Sequence, residues 1–205
     1  MENKSKGKSH WDFIYSTKTT EQLSWTQSVP TTSLAFIQSF QLTNEASIID
    51  VGGGESTLVD HLLRLGYTKI TVLDISSAAI ERAKLRLGKL ADKVNWVVSD
   101  ILDYAPDTKF DIWHDRATFH FLTELDQIHK YIEITGKGVK KYLTLGTFSI
   151  DGPTKCSGLP VKQYDERQLN ETLDSVFTKI KCITEDHITP FATRQNFLFC
   201  SFRRK

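Results

Sequence analysis

Residues 47–63, SIIDVGGGESTLVDHLL, join a β-branched run to an amphipathic helical pattern through three consecutive glycines. A strand that turns straight into a helix needs backbone freedom at the turn, which glycine supplies, and the strand after such a helix returns parallel to the first. The same alternation continues downstream: strand KITVLD, helix SAAIERAKLRLGKL, strands KVNWVVSD and KFDIWHD, helix ELDQIHKYIEI and strand KKYLTLGTF. It predicts a doubly wound, mostly parallel α/β sheet with helices on both faces. After a helix at DERQLNETLDSV, the runs VFTKIKCITEDHIT and QNFLFCSFRRK flank only PFATR, which predicts an antiparallel hairpin closing a seven-strand sheet.

With 205 residues the chain suits one core. We expect a polar, flexible tail over residues 1–10 and a single domain over 11–205, made of a helical cover (11–45) and the sheet-forming core (46–205). The segment SIDGPTKCSGLPVKQYD is long, rich in Gly, Pro and Ser, and expected to be a lid or substrate wall. Lys plus Arg total 26 against 25 Asp plus Glu, so the charge of +1 gives no case for nucleic-acid or membrane binding. The first ten residues have no apolar stretch behind them and no later segment is apolar over a membrane-spanning length. Three scattered cysteines suggest neither a disulfide framework nor a metal site, and a cytoplasmic location is expected. Cys182 and Cys200 read as small apolar strand residues, and Cys156 as a loop thiol.

Ligands of doubly wound sheets bind outside the carboxyl ends of the strands, where Gly52 and Gly54 fall. Asp74 ends the second strand, where a carboxylate can accept both ribose hydroxyls, and Asp100 ends the third, where it can accept from an adenine amine. A pyrophosphate dinucleotide wants a third spaced glycine, but Thr57 stands there. Asp50 and Glu55 would make the pocket floor anionic, which suits a ligand carrying an ammonium and a sulfonium better than a pyrophosphate. S-adenosylmethionine therefore fits better than NAD.

The segments IIDVGGGES, ITVLDIS and VVSDI resemble the first three motifs of the class I, seven-strand, Rossmann-like S-adenosylmethionine-dependent methyltransferases. This resemblance implies that Asp50, Gly52 and Gly54 line the methionine end, Asp74 holds the ribose, Ile75 packs on base or ribose, and Asp100 and Ile101 frame the adenine. The opening HWDFIYSTK, with LSWTQ after it, resembles the W-D-x-x-Y segment of small bacterial methyltransferases and of some protein-lysine methyltransferases. It implies that Tyr15, Trp25 and Gln27 contact the cofactor; the alternative is that these aromatic residues only pack a helix over the sheet.

Methyl transfer is an in-line displacement, with much of its acceleration available from positioning. His114, Asp115, Arg116 and His120, in WHDRATFHF at the end of the fourth strand, are the catalytic candidates. A histidine would be the base, Asp115 would orient it or bind an amine, and Arg116 would pair with a carboxylate or oxyanion on the substrate; bracing and capping roles are the alternatives. A small-molecule acceptor is preferred. A protein lysine, a noncatalytic S-adenosylmethionine-binding module and a dehydrogenase are the competing readings.

Overall fold

A computed structural model describes the backbone of residues 2–205 and the side chains of residues 7–205. The N-terminal cover holds helices α1 (Glu2–Thr17) and α2 (Thr31–Ser39). The core then runs β1 (Ser47–Val51), α3 (Leu58–Arg64), β2 (Lys69–Asp74), α4 (Ser77–Leu87), β3 (Val94–Val98), β4 (Phe110–Arg116), α5 (Leu125–Gly138) and β5 (Val139–Phe148). A two-residue ribbon of β6 (Lys155–Cys156) and β7 (Leu159–Pro160), α6 (Glu166–Leu173), β8 (Phe177–Ile188) and β9 (Arg194–Arg204) complete it.

Seven strands form one sheet in the order β3-β2-β1-β4-β5-β9-β8. The first five are parallel, while β9 is antiparallel to both β5 and β8. The order reverses between β1 and β4, and this switch point is where the glycines lie. Strand alternation sorts the side chains of the buried strands into two cores. Ile48, Ile70, Val72 and Ile112 pack under α2, α3 and α4. Ile49, Val51, Trp113, Leu143 and Leu145 pack under α5 and α6. Both faces are covered, which is why these strands read as near-continuous apolar runs.

Three features depart from the sequence reading. The expected tail is helical from Glu2 onward, and Lys8 pairs with Asp12 across one turn of α1 at 2.5 Å; Met1 lies outside the described residues. The long segment after β5 contains the β6–β7 ribbon, which buries Cys156. Cys182 and Cys200 are joined by a disulfide, so reading them as separate apolar residues is corrected. The reason is register: they are direct cross-strand partners of β8 and β9, with Cα atoms 4.1 Å apart, a proximity that eighteen residues of separation do not announce. Among the described residues, no helix is long and apolar enough to cross a membrane.

Candidate active site

The carboxyl ends of β1, β2, β3 and β4 open into a cavity of about 260 Å³, roofed by α1 and the loop after it. Tyr15, Trp25, Gly52, Asp74, Ile75, Asp100 and Ile101, all expected from sequence, line it. So do Arg116, from the end of β4, and Cys156, from the ribbon.

The glycines turn out to accommodate the protein's own polar side chains. A Cβ on Gly52, whose φ is +67°, would sit 1.8 Å from Thr118 Oγ1. One on Gly53 would meet Asp50 Oδ2 at 2.4 Å, and one on Gly54 would meet Asp74 Oδ2 at 2.5 Å and Ala79 Cβ at 2.7 Å. The turn is pinned to β2 by Gly52 and Gly53, whose N–H groups both donate to Leu73 O. Asp50 and Gly54 pack within this turn and are not among the residues that line the cavity; that they face the methionine end remains what the resemblance implies. Asp50 is 2% exposed; its Oδ1 accepts from His114 Nδ1 at 2.7 Å, and its Oδ2 is buried without a partner.

Asp74 and Asp100 are the carboxylates that the cavity receives. Asp74 accepts from Ser76 N at 2.8 Å, yet burial, reinforced by the nearby charge of Asp50, pushes its pKa up to about 7. An anion so poorly solvated is suited to receive two hydroxyl donors. Asp100 caps a short 3-10 turn, with Oδ1 accepting from Leu102 N at 2.9 Å, and this turn places Ile101 and Leu102 on the cavity wall, which Ile75 also lines. Glu55 does not contribute the expected floor charge, because it pairs with Arg82 at 3.0 Å and accepts from Thr20 Oγ1.

Polar contacts lock the cover down. Asp12 Oδ1 accepts from Ser76 Oγ at 2.7 Å at the start of α4. Arg82 reaches up to Tyr15 O and Lys18 O at 2.9 and 2.8 Å. The rings of Trp11, Tyr15 and Trp25 pack against one another, with Trp11 also edge-on to Phe121 at 5.2 Å. Burial, then the charges of Asp74 and Glu55, hold the Tyr15 phenol well above its ordinary pKa, so it stays protonated. Gln27 serves the framework: its carbonyl accepts from Thr57 Oγ1 at 2.9 Å.

Of the four catalytic candidates, β4 brings only Arg116 to the cavity wall. His114 points to the α2 face, where Nε2 meets Ser33 Oγ at 2.8 Å while Nδ1 is held by Asp50. Asp115 points to the α5 face and accepts from Tyr131 Oη at 2.7 Å and from the N–H groups of Thr118 and Phe119. Burial raises the Asp115 pKa to about 6, partly offset by those donors. His120 is fully buried against Phe148 with ring centroids 4.4 Å apart. Burial and then the charge of Arg116 drop its pKa to about 3, so it is neutral. Burial likewise lifts the Cys156 thiol to about 11.

Sequence reading missed Trp11, Thr118, Phe121 and Leu159, which also line the cavity. Trp11 was legible as part of the aromatic opening. Nothing in the spacing marks the others, which reach the wall through a loop and the ribbon.

A protein-family model described as a methyltransferase domain matches residues 48–136. This seven-strand arrangement is the class I methyltransferase fold. The chain superposes on the SAM-dependent methyltransferase from Anabaena variabilis with a TM-score of 0.76 and 12% identity, covering 100% of this chain and 96% of that one. It is similar to malonyl-[acyl-carrier protein] O-methyltransferase 1 of Ilyobacter polytropus, at 32% identity over 87 residues, 42% of this chain and 32% of the relative. It is also similar to EEF1A lysine methyltransferase 2 of Danio rerio, at 27% identity over 88 residues, 42% of this chain and 38% of the relative. The chain thus spans about a third of the length of these curated relatives.

Proposed function

We propose that this chain is an S-adenosylmethionine-dependent methyltransferase that acts on a small molecule. The observation that carries the reading is the cavity itself. It runs from two carboxylates at consecutive strand ends to an acceptor wall at the end of β4, under a roof of interlocked aromatic rings.

The residues fit the cofactor. Asp74 would accept the ribose hydroxyls, Asp100 the adenine amine, and Ile75, Ile101 and Leu102 would enclose the base. Tyr15, a protonated donor beside Asp74, would close over the cofactor from α1. When bound, S-adenosylmethionine supplies an electrophilic sulfonium methyl group. The chain's part is to bind, align and keep dry: Trp11, Trp25 and Phe121 exclude water, and the Gly52 turn, braced by Thr118, sets the depth of the pocket.

Among the described residues, those lining the acceptor wall include no carboxylate and no imidazole. His114 and Asp115 are committed to internal partners, and Cys156 stays a thiol. The acceptor atom in this reading is nucleophilic without help from a protein base. A lysine ammonium would meet the guanidinium of Arg116 and no carboxylate, which favours the small-molecule reading over protein-lysine methylation.

Incubating the purified protein with methyl-labelled S-adenosylmethionine and a fractionated lysate tests this. Label in the low-molecular-weight fraction is the expected result. Label confined to polypeptide would reverse the acceptor assignment, and methyl donor bound but never consumed would leave a binding module.

A further inference from the structure

From the surroundings of Arg116 we infer that the acceptor carries a carboxylate, which this side chain grips with two parallel hydrogen bonds. The inference rests on the small-molecule methyltransferase reading and extends it to the class of substrate.

Arg116 is fixed on two of its three sides. Its Nη1 donates to Trp25 O at 2.9 Å, and one face of the guanidinium lies over the Phe197 ring at 5.0 Å from the centroid. The remaining edge consists of Nε and Nη2, both buried and both without a hydrogen-bond partner. Those two nitrogens present parallel N–H groups, the fork that matches the two oxygens of a carboxylate. Buried donors of a charged group are costly to leave unpaired, so a pair on one edge marks a place where a ligand supplies the acceptors.

Among the described residues no carboxylate lies within ion-pair distance of Arg116. The acids that act on it through space are occupied: Glu185 accepts from Thr32 Oγ1, and Asp50 from His114. Burial lowers the Arg116 pKa only to about 10, so the group is a full cation at neutral pH. Apart from Thr118 and Gln127, the cavity wall on this side is apolar, with Trp25, Phe121, Leu122, Cys156 and Leu159. A cation on an apolar wall selects an acceptor with an apolar or aromatic body and one planar anionic group.

Benzoate, benzamide and benzylamine, titrated calorimetrically into the wild-type protein saturated with S-adenosylhomocysteine, test the inference without any variant. Benzoate should bind at least tenfold more tightly than the isosteric benzamide, and more tightly still than benzylamine. Arg116→Lys, which keeps the charge and removes the fork, should weaken benzoate at least tenfold, and Arg116→Met further. Equal binding of benzamide or benzylamine, no benzoate binding, or unchanged benzoate affinity in both variants would overturn the carboxylate site. The two readings fail separately: label confined to polypeptide would sink the small-molecule assignment whatever benzoate does. Labelled small molecules with no benzoate selectivity would sink the carboxylate site alone.

Discussion

Asp74 carries a conflict between stability and binding that can be measured without knowing the acceptor. Its carboxyl titrates at about 7 in the folded chain, chiefly because it is buried, against about 4 for an ordinary aspartate. Between those values the folded state holds a proton that the unfolded state lacks, so stability falls as pH rises, by roughly 1.4 kcal/mol per pH unit. The contribution is whole below pH 4 and gone once pH passes 7, a total on the order of 4 kcal/mol. Asp115, raised to about 6, acts in the same sense, whereas His120, depressed to about 3, acts in the opposite one. Both are present in wild type and in Asp74→Asn, so they cancel in the difference between the two proteins. Urea unfolding of both at pH 5 and pH 8, without ligand, should show Asp74→Asn gaining at least about 2 kcal/mol on wild type over that interval. The same change should weaken S-adenosylhomocysteine binding, and wild-type affinity should fall toward tenfold per pH unit below pH 7. A stability difference that stays flat from pH 5 to pH 8 would show that Asp74 is not a buried, proton-holding carboxyl and would refute the reasoning.

Three further outcomes follow from contacts in the structure. Gly54→Ala places a Cβ against Asp74 Oδ2 and Ala79 Cβ without asking for a left-handed backbone, so cofactor affinity should drop at least tenfold in calorimetry; unchanged affinity would contradict the packing of that turn on Asp74. Tyr131→Phe removes the buried donor to Asp115 Oδ2 and should destabilise the chain by about 1–3 kcal/mol in urea unfolding, a loss that an exposed tyrosine would not show. Reducing the Cys182–Cys200 disulfide should lower stability by up to about 3 kcal/mol for a loop of this size; identical unfolding curves with and without dithiothreitol would contradict the pairing.

The fold was legible because its signals are periodic. Buried parallel strands appear as apolar runs, and α5 and α6 show their buried faces at helical spacing, so element order and hairpin closure could be read directly. Asp74 and Asp100 were legible for a related reason: a strand end is a definite place in sequence, and a carboxylate there has few structural uses. The cavity wall at the end of β4 was harder. His114, Asp115 and Arg116 are adjacent in sequence but leave β4 on alternate faces, and period two alone does not say which face meets α2, which meets α5 and which escapes into the cavity. Phe121 and Leu159 are not distinguished by pattern at all.

 The ribbon is a local hairpin turned by Ser157 and Gly158, both at positive φ, whereas the disulfide depends on the register of β8 on β9, which leaves no local trace in Cys182 or Cys200.

The central claim is that the switch-point cavity binds an adenosyl sulfonium donor through Asp74. Calorimetric titration of S-adenosylhomocysteine and of NAD into wild type and Asp74→Ala tests it most directly. We predict one S-adenosylhomocysteine per chain, an affinity at least 100-fold weaker in Asp74→Ala, and no NAD binding to either protein. NAD binding to wild type, or S-adenosylhomocysteine binding that survives the loss of Asp74, would contradict the account.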